Sequence, residues 1–366
     1  MPNILRLFAQ LGLLEAVEAI GTHMRPGTVV TSDGRPFSTL DTDRWCSEYH
    51  GTGWGMVHRP EFMQLLYGAL PHEIRQHLLP SKEMETIEVT EDGGCGPVYR
   101  RKLGERQHCG RGGRSLQQAL NAEKPFVATY RCVFGHTISP PPGTNPGDEW
   151  HMHGSGILSL LLAGSEKTWC MFSQKRPEPT RERHRYTEKN IKSFMEELGH
   201  AHYTSTLTLN DLYQARTSCY LTDLHEGLIH HFHYGRIVLV GDAVNKQTYN
   251  TGQRWNTGVK NVVVLTNKLR TLIEQETNLD APISESKIDA AFGLYQRDRY
   301  PVVQQAANIP NFLGAWRVKL SPPTDDLEGL VKRIRNCHIP FASESNFSLS
   351  STGALHLPII PTKLEK

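Results

Sequence analysis

The chain has no apolar run long enough to cross a bilayer. A spanning helix needs about 18 or more consecutive apolar residues, and Gly156 to Ala163 and Val259 to Leu265 are much shorter. No charged segment leading into an apolar signal core follows Met1. The expectation is a cytoplasmic protein, at most peripheral to a membrane. Cysteine is scarce. Seven residues, an odd number with no Cys-x-x-Cys spacing, argue against a disulfide framework and for a reducing compartment. An excess of one charge is also missing. The formal net charge of +2 gives no overall field for a polyanion, and the one basic run, Arg100 to Arg114, carries no interleaved aromatics, so no nucleic-acid partner is expected. No internal repeat is visible. What is present is a 366-residue chain with 38% hydrophobic residues, enough for about two compact domains.

Periodicity places the elements. Ile4 to Ala19 has apolar residues at helical spacing and meets Gly21 as a stop signal. Thr28 to Phe37 reads as a hairpin turning at Asp33-Gly34. Pro60 suits the first turn of a helix over Glu61 to Leu78, where its missing N–H would be unpaired anyway. Residues 125–175 are strand-rich, with Gly156 to Leu162 and Thr168 to Phe172 among the candidates. Glu188 to Leu198 and Leu209 to Ala215 read as helices, Ser284 to Asn308 as a helical pair, and the tail from Ser321 as loosely packed.

The most informative stretch runs from Gly235 to Leu269. Ile237 to Val240 is a short β-branched run of the kind covered on both faces. Gly241 lets a ligand approach the backbone, and the Asp242 carboxylate can accept hydrogen bonds from sugar-type hydroxyls at the strand's end. Asn250-Thr251-Gly252-Gln253 then turns into a helical run from Asn256, presenting free N–H groups and a positive dipole end to negative charge. That layout suits a ribityl chain and a flavin ring. It also suits a plain strand, loop and helix without a ligand.

This stretch resembles the second flavin motif of the group A FAD-dependent monooxygenases, the p-hydroxybenzoate hydroxylase-like fold, and most closely the fungal terpenoid and indole-diterpenoid epoxidase branch. Three further pieces agree, in the family's order. Pro2 to Glu18 is similar to the helix after its second strand. His58-Arg59-Pro60-Glu61 to Tyr67 is similar to its arginine-led helix. Phe126 to Gly135, with Tyr130-Arg131-Cys132-Val133-Phe134, is similar to the first strand of its substrate domain. The resemblance implies an α/β fold, in which an incomplete FAD/NAD(P)-binding Rossmann-like domain is packed on a mixed-sheet substrate domain. The expected divisions are 1–124 and 235–310 for the two parts of the flavin domain, 125–234 for the substrate sheet and 311–366 for a tail. FAD is the implied cofactor and NAD(P)H the transient reductant. The implied substrate is a small lipophilic terpenoid or meroterpenoid that receives oxygen at an alkene or ring. Arg59 is implied at the flavin's phosphate and ribityl region, Gly241 and Asp242 at the ribityl hydroxyls, and the backbone N–H groups of Thr251, Gly252 and Gln253 at the flavin edge. Arg131 is the implied substrate or acid/base residue.

Departures from the family accompany these matches. No Gly-x-Gly-x-x-Gly turn precedes the first matching helix, so the expected flavin domain is incomplete. Where the family has a strand ending Gly-Ala-Asp-Gly, residues 93–118 hold a basic, glycine-rich segment. Permissible codons for Glu105 to Ser115, shifted by one base, spell Asn-Gly-Ser-Ile-Val-Val-Gly-Ala-Asp-Gly-Val, which makes a change of reading frame the expectation there. In the flavin loop Arg254-Trp255 replace small residues, Tyr249 a proline and Asn245 a histidine, bulk that could stand in the ring's way. The alternative expectation is therefore a non-catalytic remnant or partner protein that holds no FAD. A metal reading of His151-Met152-His153, beside Asp148-Glu149, and of His230-His231-Phe232-His233 lacks a third ligand fixed by a motif, so no metal is expected. Cys132 and Cys170 read as buried thiols.

Overall fold

The computed structural model describes residues 2–50, 53–78, 82–89, 95–101, 125–138, 140–154, 156–247, 249, 252–278 and 281–319. The basic segment's core, Thr251 and the tail from Ser321 lie outside them. The chain forms two compact units. The first comprises Met1–Leu65, Val127–His225 and Ile309–Phe347, and the second Leu66–Phe126, Glu226–Asn308 and Ser348–Lys366. The expected division at 124/125 falls close to a unit boundary, whereas the first expected stretch is cut after Leu65. Among the described residues no helix is long and apolar enough to cross a membrane.

In the first unit, the expected helix over residues 4–19 is two helices, α1 (Pro2–Gln10) and α2 (Leu14–Ala19). Gly12 between them takes φ 69°, a left-handed conformation that ends a helical run cheaply only at glycine. Gly21 is not a cap but opens β1 (Gly21–His23), which pairs antiparallel with β4 (Gly55–Val57). The hairpin forms as expected from β2 (Gly27–Thr31) and β3 (Pro36–Leu40), with Gly34 at φ 81° in its turn. Helix α3 (Thr42–His50) follows. The Pro60 helix, α4 (Arg59–Ala69), stops before Pro71, and a short α5 (His72–Arg75) takes up the rest. Strands β5 (Lys82–Val89) and β6 (Cys95–Arg101), which belong to the second unit, form a separate antiparallel ladder.

The main sheet is built from long strands: β7 (Val127–Ile138), β8 (Glu149–Gly154), β9 (Ile157–Ala163), β10 (Lys167–Thr180) and β11 (Arg216–Leu228). Its order is β11-β7-β10-β9-β8-β2-β3, with a two-residue eighth strand, Asn245–Lys246, beyond β11. Strand β10 is antiparallel to β7 and β9, β8 to β9 and β2 to β3, whereas β2 and β8 run parallel, so the sheet is mixed. Register decides which side chains share a face, because directly opposed residues point the same way. Val133, Phe172 and Ser159 form one row, and Gly135, Cys170, Leu161 and Trp150 the next. Helices α6 (Glu188–Leu198) and α7 (Leu209–Gln214) cover this face and bury Val133, Trp150, Met152, Leu161 and Phe172 against Ile191, Phe194, Met195 and Leu212. Both helices begin with capping boxes, Thr187 with Asn190 and Thr208 with Asp211, which satisfy N–H groups that a helix start otherwise leaves open.

The second unit has a smaller core of Phe126, Ile229, Phe232, Leu239, Val244, Val264 and Tyr295. Here the sequence reading needs correction. Ile237 to Val240 is not a doubly covered strand. Only Ile237–Val238 (β13) is extended, half-buried, and it pairs antiparallel with His233–Tyr234 (β12). Among the described residues it has no parallel neighbour to extend the ladder. Strand β14 (Asn245–Lys246) pairs with the end of β11 at Gly227 and Leu228. Two long helices complete the unit: α8 (Gln253–Gln275), and α9 (Glu285–Lys319), a single helix where a pair was expected.

Candidate flavin half-site and the open sheet face

Gly241–Ala243 makes a single 3-10 turn directly after Val240, with Gly241 at φ 59°. An L side chain at that φ would cost roughly 1–2 kcal/mol. The turn lies against the second turn of α8 through a glycine pair. A Cβ on Gly258 would stand 3.3 Å from the Gly241 Cα, so the two backbones touch. Gly252, also at φ 59°, precedes α8; its N–H donates to the Tyr249 carbonyl (2.9 Å), and Asn256 Nδ2 donates to the Gly252 carbonyl (2.6 Å). No side chain caps α8, so its first N–H groups remain available to an acceptor.

Asp242 is exposed and engaged. Arg254 Nε donates to Oδ1 at 2.9 Å and Nη2 to Oδ2 at 2.5 Å. The side chains are 57% and 45% exposed, so the pair is worth at most about 1 kcal/mol and other donors can compete for the carboxylate. Of the two bulky residues of this loop, Arg254 folds onto Asp242, and Trp255 is 46% exposed.

Buried amides surround this segment. Asn245 and Gln247 are 1% and 2% exposed, and in each both the amide nitrogen and oxygen lack a partner; the Asn256 Oδ1 does too. An unmade hydrogen bond of this sort costs about 1–3 kcal/mol. Amides with an open donor and an open acceptor fit a ligand edge that alternates donors and acceptors, as the pyrimidine end of a flavin does. With the glycine-lined turn, they are what makes the residues present compatible with FAD.

The face of the main sheet opposite α6 and α7 is different in character. One row along it is His151, Leu160, Met171 and Phe134; the next is Glu149, Leu162, Trp169 and His136. Phe134 stacks on Tyr220 of β11 at 5.3 Å between centroids, and Tyr220 is 55% exposed. The His58 ring lies 5.6 Å from Trp169. His58 Nδ1 is 2.7 Å from Glu61 Oε1, and Lys167 Nζ is 3.5 Å from the same oxygen. The hydrogen bond from His58 holds the Glu61 carboxyl below its ordinary range, against the opposing effect of burial. Burial pushes the His136 pKa down, and Lys167 and His58 add to it; Ser218 Oγ sits 2.8 Å from its Nδ1. His151 is bound to Glu149 at 2.5 Å, and Glu149 also accepts from Trp54 Nε1 at 3.2 Å. Among the described residues no cluster of three metal-ligating side chains occurs.

Arg131 does not stand on this open face. It shares the helix-covered side with Val133 and donates to Gln174 Oε1 through Nε at 2.8 Å. Its Nη2 is 3.1 Å from Glu197 Oε2 on α6, and its guanidinium lies over the Phe194 ring at 5.1 Å. It ties the sheet to α6. Arg59 is exposed in the first turn of α4 in the first unit, whereas Gly241, Asp242 and Gly252 belong to the second. Thr251 is outside the described residues, and Gln253 contributes its backbone at the start of α8. Sequence reasoning missed the open-face residues Phe134, His136, Trp169 and Met171. Their common signal is the alternation along β7 and β10, but both faces of those strands are largely apolar. The thiols of Cys132 and Cys170 are indeed buried, and burial drives the latter's pKa up to about 12.

Comparison with known proteins bears on this geometry. Residues 152–307 match the FAD binding domain family. An FAD-dependent monooxygenase, ptmM of Penicillium ochrochloron, is 24% identical over 87% of this chain and 79% of its own length. Another, ausM of Penicillium brasilianum, is 27% identical over 82% of this chain and 66% of its own. HpxO of Klebsiella pneumoniae, solved with FAD and uric acid, superposes with a TM-score of 0.63 at 17% identity, covering 91% of this chain and 82% of that one.

Proposed function

We propose that this chain, similar to FAD-dependent monooxygenases in sequence and in fold, is a group A FAD-dependent monooxygenase that oxygenates a lipophilic terpenoid or meroterpenoid, with NAD(P)H as reductant and O2 as the oxygen source. When bound, FAD supplies the redox and oxygen-activating chemistry; the chain supplies placement and exclusion of water. The observation that favours a lipophilic substrate is the open face, where Phe134, Tyr220, Trp169, Met171 and Leu160 offer aromatic and aliphatic surface in neighbouring rows. His136, its pKa lowered by burial, stays neutral near pH 7 and can exchange a hydrogen bond with a substrate oxygen. For the cofactor, we assign the ribityl hydroxyls to Asp242, the phosphate region to Arg59, and the flavin edge to the backbone N–H of Gln253 at the start of α8; the Gly252 N–H is committed to the Tyr249 carbonyl, and Thr251 lies outside the described residues.

The test is a visible spectrum of the chain after gel filtration with added FAD. Bound flavin, with Asp242→Ala weakening it about tenfold or more, is the expected outcome, since a hydrogen bond to a charged group is worth about 1.5–3 kcal/mol. Arg254→Ala should tighten binding modestly by removing the competitor for Asp242. Weaker binding in Arg254→Ala would mean that Arg254, and not Asp242, meets the cofactor. A folded but colourless protein would instead support the non-catalytic reading.

A further inference from the structure

Between α8 and α9 the second unit buries positive charge without a carboxylate to meet it. Arg299 is 5% exposed and Asn261 0%. Their one hydrogen bond runs from Arg299 Nε to Asn261 Oδ1 at 2.8 Å. That bond turns the amide's acceptor toward the guanidinium and leaves Arg299 Nη2 and Asn261 Nδ2, both donors, with no acceptor among the described residues. Lys260 is the preceding residue on α8, and Arg299 is close enough to act on its ammonium. Burial and the charge of Arg299 act on Lys260, and burial and the neighbouring Tyr295 act on Arg299; no acidic side chain contributes. The Tyr295 hydroxyl is already committed to the Leu239 carbonyl at 3.1 Å. The nearest carboxylate in sequence, Asp298, is taken by Lys268 at 2.6 Å and Arg297 at 3.0 Å.

A buried cation is ordinarily paired, because stripping it of water costs several kcal/mol that only an opposite charge or a full set of acceptors returns. Here the neutral Asn261 supplies one acceptor and then adds a donor of its own. We propose that Lys260, Asn261 and Arg299 form a binding site for a single small inorganic anion of the halide class. The class follows from the donors. With Nε engaged by Asn261, the side-on Nε/Nη2 edge of the guanidinium cannot clasp a carboxylate or phosphate through two parallel bonds. What remains is the Lys260 ammonium, the Arg299 Nη2 group and the Asn261 Nδ2 group, donors that suit a spherical ion. Near-complete burial of Asn261 and Arg299 also disfavours any ligand with a bulky remainder, so a nucleotide phosphate does not fit. The lowered Lys260 pKa, about 8, adds that the site's second charge weakens as pH rises through that value, and anion binding weakens with it.

The experiment is thermal unfolding of the full chain in sodium chloride and in sodium gluconate at equal ionic strength and pH 7, together with chloride NMR line broadening by the native protein. Chloride is expected to raise the transition of the second unit by about 3 °C over gluconate and to show a broadened resonance. Asn261→Asp, which installs the missing negative charge, should unfold at the higher temperature in gluconate and lose both effects. Equal transitions in the two salts with an unbroadened chloride line overturn the proposal, as does a chloride effect that Asn261→Asp leaves intact. If the variant does not fold, the two wild-type measurements still decide.

Discussion

Replacing Gly258 by leucine should abolish FAD retention and lower the transition of the second unit by several degrees. A glycine inside α8 is itself a cost, about 0.5–1 kcal/mol against alanine, so a packing reason must oppose the helix preference. That reason is the contact with Gly241. A Cβ at position 258 would stand 3.3 Å from the Gly241 Cα, a backbone atom that cannot rotate aside as the end of a side chain can. Alanine gains helix propensity and spends it on a shift of a few tenths of an ångström, so Gly258→Ala should change stability by less than about 1 kcal/mol and keep most of the flavin. Leucine adds three more carbons beyond the Cβ. They must push α8 away from the turn, at a typical overpacking cost of about 1–3 kcal/mol, and the Asp242 and Gly252 backbones would no longer share one frame. The measurement is the FAD absorbance that stays with each variant on gel filtration, beside its thermal transition. Flavin retained at wild-type level by Gly258→Leu would show that the glycine contact has no part in the cofactor site.

The features that were legible in the sequence are those whose causes are local. The helices expected over Glu188 to Leu198 and Leu209 to Ala215 form as α6 and α7 to within one residue, and Asp33-Gly34 announces the hairpin. The α/β class, the mixed sheet and the kinship with FAD-dependent monooxygenases were readable as well, because ordered motifs survive where single residues change. What was hidden depends on partners distant in sequence. Whether Ile237 to Val240 becomes a buried parallel strand is decided by neighbours, and its one neighbour among the described residues is the antiparallel Tyr234 and His233. The side of the sheet on which Arg131 stands was not legible, because alternation fixes which residues share a face, not which face the later helices cover. Phe194 and Glu197, which claim that side, follow more than sixty residues downstream. The pairing of Arg254 with Asp242 was hidden for a related reason: bulk beside a glycine turn signals obstruction, while its direction is a matter of rotamer and charge.

Substituting asparagine for Asp223 should cost the first unit about 2–3 kcal/mol at neutral pH, for a reason that only the folded chain displays. The Asp223 side chain is 1% exposed, a position where a lone carboxylate would be very costly. Three donors converge on it from β10 and the segment that follows. Arg176 Nη1 is 2.7 Å from Oδ1, the Tyr186 hydroxyl donates to Oδ1 at 2.9 Å, and His184 Nδ1 is 2.7 Å from Oδ2. Burial alone would raise its pKa; the bonds from His184 and Tyr186 and the charge of Arg176 outweigh it, and the net shift is downward. Asparagine keeps the shape and one acceptor but turns an NH2 group toward the remaining donors, leaving Arg176 buried without its counter-charge. Removal of one partner from a fully buried pair costs roughly 3–5 kcal/mol. The figure here is smaller because Arg176 and His184 remain 20% and 39% exposed and are partly screened by water. The sign with pH follows from the depressed pKa. The carboxylate's contribution is complete above the unfolded value of about 3.9 and is lost as pH falls through the lower folded value. Wild type and Asp223→Asn should therefore differ by several degrees in thermal transition at pH 7 and converge as the pH falls below about 4. A gap that persists undiminished at lower pH would mean that the cost comes from packing around position 223 and not from its charge.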